Sequence, residues 1–150
     1  MTQPPPSHDP RFPPTQPAPP SGALAWGLGL LVFLLVPFFS TVIAGVTMLA
    51  VGAHSRTKGG LAHVNARNAA NWGGTYLVLT LILVPLHFVL LLTLADGPYG
   101  HDFFPLGTAI SLWGLVTLFH IVVSILGLIF SLTGKVFWIP AIPFLRAGRP

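Results

Sequence analysis

Three stretches of the chain contain no Asp, Glu, Lys or Arg: Ala23 to Ala53, Trp72 to Ala95, and Leu106 to Gly134. Each is longer than the roughly 20 apolar residues a helix needs to cross about 30 Å of hydrocarbon. A buried-core reading would need a large soluble domain around these runs, and a chain of 150 residues is too short to supply it. The first run would measure about 46 Å as one straight helix, which overshoots a membrane. Pro37 sits near its middle, in "LVPFFSTV". Proline removes a backbone donor and clashes with the preceding turn. The run is therefore expected to be either one tilted, kinked helix or two half-helices around a break at Pro37 to Thr41. In the broken form Ser40 and Thr41 would serve the freed backbone groups, and the break must be buried in protein or face water.

The link "HSRTKGG" brings Arg56 and Lys58, and its two glycines permit a sharp change of direction. Helical periodicity resumes at about Leu61 and runs to about Leu94, with Pro85 as a possible bend. "ADGPYGHD" reads as a turn. Leu106 to Leu132 is the most regular helix, and Pro140 and Pro143 in "GKVFWIPAIPFLRAGRP" forbid a fourth ordinary one. The Trp and Phe of this tail, beside Lys and Arg, suit the headgroup layer. Met1 to Gly22 holds nine prolines and is expected to be a disordered, solvated tail rather than a signal peptide. Its "PPPSHDPRFPP" would suit an aromatic-lined groove, but composition alone does not require a ligand role. The fold class is thus all-α: an integral membrane helical bundle over residues 23–146, preceded by the proline-rich tail and followed by a short basic end at 147–150.

Composition sharpens this. Only 7% of residues are charged against 53% hydrophobic, whereas soluble domains carry about 25% charged residues. The absence of Cys excludes disulfides, thiolate catalysis and Cys-based metal sites. There is no Glu, and the acids are Asp9, Asp96 and Asp102, so the pI near 10.4 reflects missing acids. The scattered Lys and Arg do not form the clustered face that nucleic-acid binding needs. Basic residues at Arg56, Lys58, Lys135 and Arg146, against Asp96 and Asp102 in the second link, place the first link and the C-terminus in the cytoplasm and the second link outside. The N-terminus is outside if the first run spans, and inside if it is re-entrant.

On the third helix Ser111, Gly114, Thr117, His120, Ser124, Gly127 and Ser131 recur at steps of three and four and share one face. Small and hydroxylated residues let membrane helices approach closely. The Gly114/Thr117/Ser124/Gly127 face is therefore expected to pack within the protomer, or against a second copy or another membrane protein. His120 on this face and His87 on the second helix are ionisable residues at membrane depth. The sharp reading is a bis-His haem site or proton relay. The plainer one, which we favour, is neutral imidazoles hydrogen-bonded to neighbours such as Ser124. Counted from the outer helix ends, the two differ by about 9 Å in depth. No metal or cofactor is expected, because neither helix offers a second ligand one turn away. No carboxylate pair, Ser–His–Asp set, phosphate loop or HExxH pattern appears, and no enzymatic activity is expected.

The polar exception is "HVNARNAANW". On a helix His63, Arg67, Asn71 and Thr75 align, and Asn65, Asn68 and Trp72 form an adjacent line. Ala62, Ala66, Ala69, Ala70 and Gly73 supply a small-residue face. This is the expected cytoplasmic start of the second helix, with Trp72 as an interfacial anchor. Asn is a poor helix former, so three of them need another reason. Arg67 has no acid on its own side. Its partners would be lipid phosphate, backbone carbonyls, another protein or water. Two readings stand: anionic-lipid recognition, or capping of loose carbonyls in a broken first helix or in the tail. For a mere packing protein, replacing Asn68 and Asn71 by Leu is expected to be neutral or stabilising, whereas if the break and this Asn-rich helix start line a polar path the same change would abolish flux.

The succession of a Pro-interrupted apolar run ("LVPFFSTVIAGVTMLAVG"), a basic link, "GGLAHVNARNAANWGGTYLV", two long spans and "GKVFWIPAIPFLR" resembles the Tic-twenty-like small bacterial membrane proteins, catalogued as a domain of unknown function and named for similarity to a chloroplast inner-envelope import component. The resemblance covers about Ala23 to Arg146 and is most specific at Ala66 to Asn71 and Pro140 to Arg146. Members often carry an acid at the helix start, where this chain has none. The resemblance implies a helical bundle in the inner membrane without known enzymatic activity, and protein translocation only by analogy. The expected role is a scaffold or accessory component acting through helix packing and a basic cytoplasmic face. Rival expectations are a transport or translocation subunit, and a haem or proton-relay protein using His87 and His120.

Overall fold

The structure is a computed structural model that describes residues 21–34, 36, 38–55, 59–98, 100 and 102–146. The proline-rich segment before Ser21, Pro37, Arg56, Lys58 and the basic end at 147–150 lie outside the described residues. Those described are helical or irregular, with no strand among them.

The first run does not form one long helix. A short helix α1 (Ala23–Gly27) continues as a 3₁₀ segment (Leu28–Leu34), and a separate helix α2 begins beyond it (Phe39–His54). Between them Phe38 takes φ +65°, a left-handed conformation costly for a non-glycine residue. Its ring is held 5.1 Å from Trp113 and 6.3 Å from Phe88, centroid to centroid. The hydroxyls of Ser40 and Thr41 donate to the carbonyls of Val36 and Phe38 at 2.9 and 2.6 Å, so the break satisfies part of its own backbone.

The two halves form a hairpin. Gly22 at its start abuts Ala62 and Ala66, and the Ser55 carbonyl just beyond its end lies 3.4 Å from His63 Nδ1. Both ends therefore meet the start of the next helix. The geometry closes because a 3₁₀ segment rises about 2 Å per residue, so twelve residues of α1 and its extension cover roughly 21 Å. The 16 residues of α2 cover about 24 Å on the way back.

Helix α3 (Gly60–Leu94) is continuous through Pro85 over 35 residues, about 52 Å. After a single turn of helix α4 (Phe103–Leu106) comes α5 (Thr108–Leu132), of 25 residues and about 37 Å. Both α3 and α5 are long and apolar enough to cross a membrane. Helix α3 packs against α2 and α5, and α1 with its extension touches all three. Contacts of Gly45 with Gly73 and Leu77, and of Gly52 with Ala66 and Ala70, show α2 running antiparallel to α3 through small residues on both helices. Trp26, fully buried, lies over Gly127 of α5 and edge-on to Phe137 of the tail.

Beyond this core the surface is apolar. Leu81, Ile82, Leu86, Phe88, Val89 and Leu92 of α3 are exposed, as are Leu112, Leu115, Leu118, Val122, Ile129 and Leu132 of α5.

Candidate functional site

Helix α5 ends at Gly134, whose φ of +73° suits the left-handed C-terminal stop. Gly134 N–H donates to the Ser131 carbonyl (3.2 Å) and Lys135 N–H to that of Phe130 (2.9 Å), the paired bonds that close a helix and reverse the chain. From Lys135 the tail runs without helix to Arg146, as its prolines require. Its backbone donors and acceptors thus need partners from elsewhere.

The polar start of α3 supplies them. Asn65, fully buried, donates through Nδ2 to the carbonyls of Ser21 and Lys135, each at 3.0 Å, and its Oδ1 accepts Phe137 N–H at 3.0 Å. Asn68 Nδ2 donates to the Phe137 carbonyl at 2.9 Å. Asn71 pairs twice with Leu145, accepting its N–H at 2.7 Å and donating to its carbonyl at 3.1 Å. The Thr75 hydroxyl accepts Ile142 N–H at 2.8 Å while donating to the Asn71 carbonyl at 2.8 Å. The tail climbs α3 from Asn65 to Thr75 and folds back to Asn71, with Phe144 seated over Gly74. A primary amide is a flat donor–acceptor pair like the peptide group, so three Asn at three-residue spacing act as a row of substitute strand partners. Thr75 was legible as part of this face; Gly74 was not singled out, although a Gly-Gly pair inside an apolar helix is the signal that two elements approach there.

This reverses the expectation for Asn68→Leu and Asn71→Leu. Each would strand backbone groups of the tail, and stranded buried groups cost more than the bond itself is worth.

Between α3 and the tail loop lies a cleft of about 510 Å³, lined by Arg67, Asn68 and Asn71 on one wall and by Trp138, Pro140 and Arg146 among others on the opposite one. Arg67 is half-buried and Arg146 exposed. Asp96 follows the far end of α3, roughly 40 Å along the axis from Arg67, and Asp102 lies beyond it; Asp9 is outside the described residues. Lys135, exposed, marks the same end, and His63 joins it to the first link through Ser55.

His120, also fully buried, ties three helices together. Its Nδ1 accepts the Trp72 indole N–H at 3.1 Å, so the proton sits on Nε2, which donates to the Gly29 carbonyl at 3.0 Å; Ser124 Oγ lies 3.4 Å from Nε2. Tyr76 stacks on the imidazole at 3.8 Å between centroids, and its hydroxyl is 3.1 Å from that of Thr117. Trp72 is consequently not an interfacial anchor: it is 5% exposed, drawn inward by the histidine acceptor.

His87 lies elsewhere. Its Nδ1 is 3.1 Å from the Leu106 carbonyl, bracing the link between α3 and α5. Because His120 is level with Trp72, and His87 is about fifteen residues further along α3, the two imidazoles are separated by roughly 22 Å of helix axis. The expected 9 Å offset assumed both helices end at one height; α3 instead runs past the start of α5, which begins beside His87. Among the described residues no cluster of three metal-ligating side chains occurs. Along the small-residue stripe, Ser124 and Gly127 are covered by Gly29 and Trp26 of the same chain and Thr117 meets Tyr76, whereas Gly114 has open space around it.

Comparison with family models, curated proteins and solved structures finds no match to this chain.

Proposed function

We propose that this is a small multi-pass inner-membrane protein, a non-enzymatic scaffold or accessory component whose hairpin, link and tail meet at a basic cytoplasmic end. One observation carries the reading: its central polar side chains, Asn65, Asn68, Asn71 and His120, are bonded to the chain's own backbone and to Trp72, inside an envelope of exposed Leu, Ile, Val and Phe. Polar groups used in this way hold a shape. The kinship with the Tic-twenty-like proteins belongs to the same proposal; the two segments that carry it, Ala66 to Asn71 and Pro140 to Arg146, lie against each other. A transport or translocation subunit draws less support, since the amides that would line a polar path are filled by the tail.

The Cys-free sequence makes a clean test of topology. Single cysteines at the exposed positions Gly59, Thr133 and Asp96 would be probed in intact cells with a membrane-impermeant maleimide. Labelling at Asp96→Cys alone is expected; labelling at Gly59→Cys or Thr133→Cys would overturn the arrangement. Copurification from native membranes would then identify the partner assembly, and recovery of the chain with an enzymatic turnover of its own would sink the scaffold role.

A further inference from the structure

We propose that the cleft between α3 and the tail loop binds the phosphate of an anionic phospholipid headgroup, gripped from opposite walls by Arg67 and Arg146. The inference rests on the membrane reading above. Arg67 and Arg146 both line one cleft of about 510 Å³, and the acids Asp96 and Asp102 lie toward the other end of α3. Like charges facing a shared, partly desolvated space repel, and an anion between them converts that repulsion into attraction. The guanidinium fork matches phosphate oxygens in pairs. Asn68, also on the cleft wall, spends one amide hydrogen on Phe137 and carries a second.

The surroundings choose a lipid over a soluble phosphate. Trp138 lines the cleft yet is 69% exposed, and Ile142 and Phe144 beside it are exposed as well. At the same end α5 presents Ile129 and Leu132 outward. A cleft with a basic residue on each wall and an apolar rim suits a ligand with an anionic head and acyl chains. Indole side chains favour the boundary where such a head meets its chains.

The test is a titration of the purified, delipidated full-length protein with phosphatidylglycerol and, separately, phosphatidylcholine, read as bound lipid by native mass spectrometry. The first equivalent of phosphatidylglycerol is expected to bind about tenfold more tightly than phosphatidylcholine. Arg67→Gln and Arg146→Gln should each erase most of that preference, Arg67→Lys should erase part of it, and Lys135→Gln, off the cleft, should preserve it. Arg146 is exposed at the end of the tail, so its variant separates loss of binding from loss of fold. Equal affinity for the two lipids, or a preference that survives the double Arg variant, overturns the proposal. Displacement by millimolar inorganic phosphate as effective as by phosphatidylglycerol would assign the cleft to soluble phosphate and overturn the lipid assignment. Failure of the protein to float with pure phosphatidylcholine vesicles would sink the membrane reading itself; flotation with no headgroup preference sinks only the cleft.

Discussion

Helix α3 obeys opposite rules in its two halves. From Ala62 to Tyr76 its buried positions are Ala, Asn, Gly, Trp and Tyr; beyond Tyr76 only Thr80 and Leu83 are buried. The second half is richer in Leu, Ile, Val and Phe, yet those side chains point outward, Leu92 at 85% exposure. In water this distribution would be upside down. In lipid, large apolar side chains have no reason to turn inward, while small residues allow close packing and polar ones must find internal partners. Hydrophobicity thus tracks the outside of this molecule, and its interior is marked by small and polar residues.

The comparison is broken most severely at Asn65. Asn65→Leu would make α3 more hydrophobic while removing three hydrogen bonds that join Ser21, Lys135 and Phe137. At roughly 0.6 to 1.7 kcal/mol for each interhelical-type bond, the loss is about 2 to 5 kcal/mol, expected as a lower unfolding midpoint in detergent and early proteolysis of the tail. An unchanged midpoint would show that the amide row does not hold the tail.

Next comes His120→Phe, which keeps the ring but strands the Trp72 N–H and the Gly29 carbonyl. A cost of about 2 to 4 kcal/mol is expected from two orphaned buried groups, against about 1 kcal/mol for His87→Phe, whose ring makes one bond to the link. Equal costs by denaturant titration would contradict the central role of His120.

Glycines sharpen the contrast further. A methyl at Gly52 collides with Ala70 and with the Ala66 carbonyl, so Gly52→Ala should force α2 from α3 at about 1 to 3 kcal/mol. Gly114→Ala meets nothing within 4 Å and should be neutral or stabilise by up to about 1 kcal/mol through helix propensity. Destabilisation at Gly114 would reveal a second protein surface packed on that open part of the stripe. The smallest effect is expected at Leu92→Ala, near zero in detergent, since that side chain has few neighbours to lose.

Much of the helical layout was legible beforehand. The bounds of α3 followed from helical periodicity and those of α5 from its uncharged run, and the overlong first run called for a break; that break was expected at Pro37 to Thr41 but lies earlier, between Leu34 and Phe39, with Ser40 and Thr41 in the first turn of α2 serving carbonyls behind them. The excess of amides in "HVNARNAANW" was visible, and the tail was among its candidate partners. What local pattern does not carry is register. The return of the tail onto α3, the pairing of Trp72 with His120, and the overshoot of α3 past α5 depend on contacts between residues about 20 to 75 positions apart, and no helical period encodes which of several acceptors an amide or indole meets. Gly29 illustrates this: nothing in "GLGLLVF" distinguishes the carbonyl that His120 selects.

The amide row also imposes an order in time. Asn65, Asn68 and Asn71 are synthesised long before Lys135 to Leu145, the segment that occupies them. Until α5 has been made and the chain has turned at Gly134, Asn68 and Asn71 lack the partners of their side-chain amides and Asn65 has only the Ser21 carbonyl. The growing chain therefore has a polar face that stays open through synthesis of both long helices and closes only with the last stretch. A chain arrested before Lys135 would keep that face exposed, so the polar start of α3 is complete only once the tail has been made.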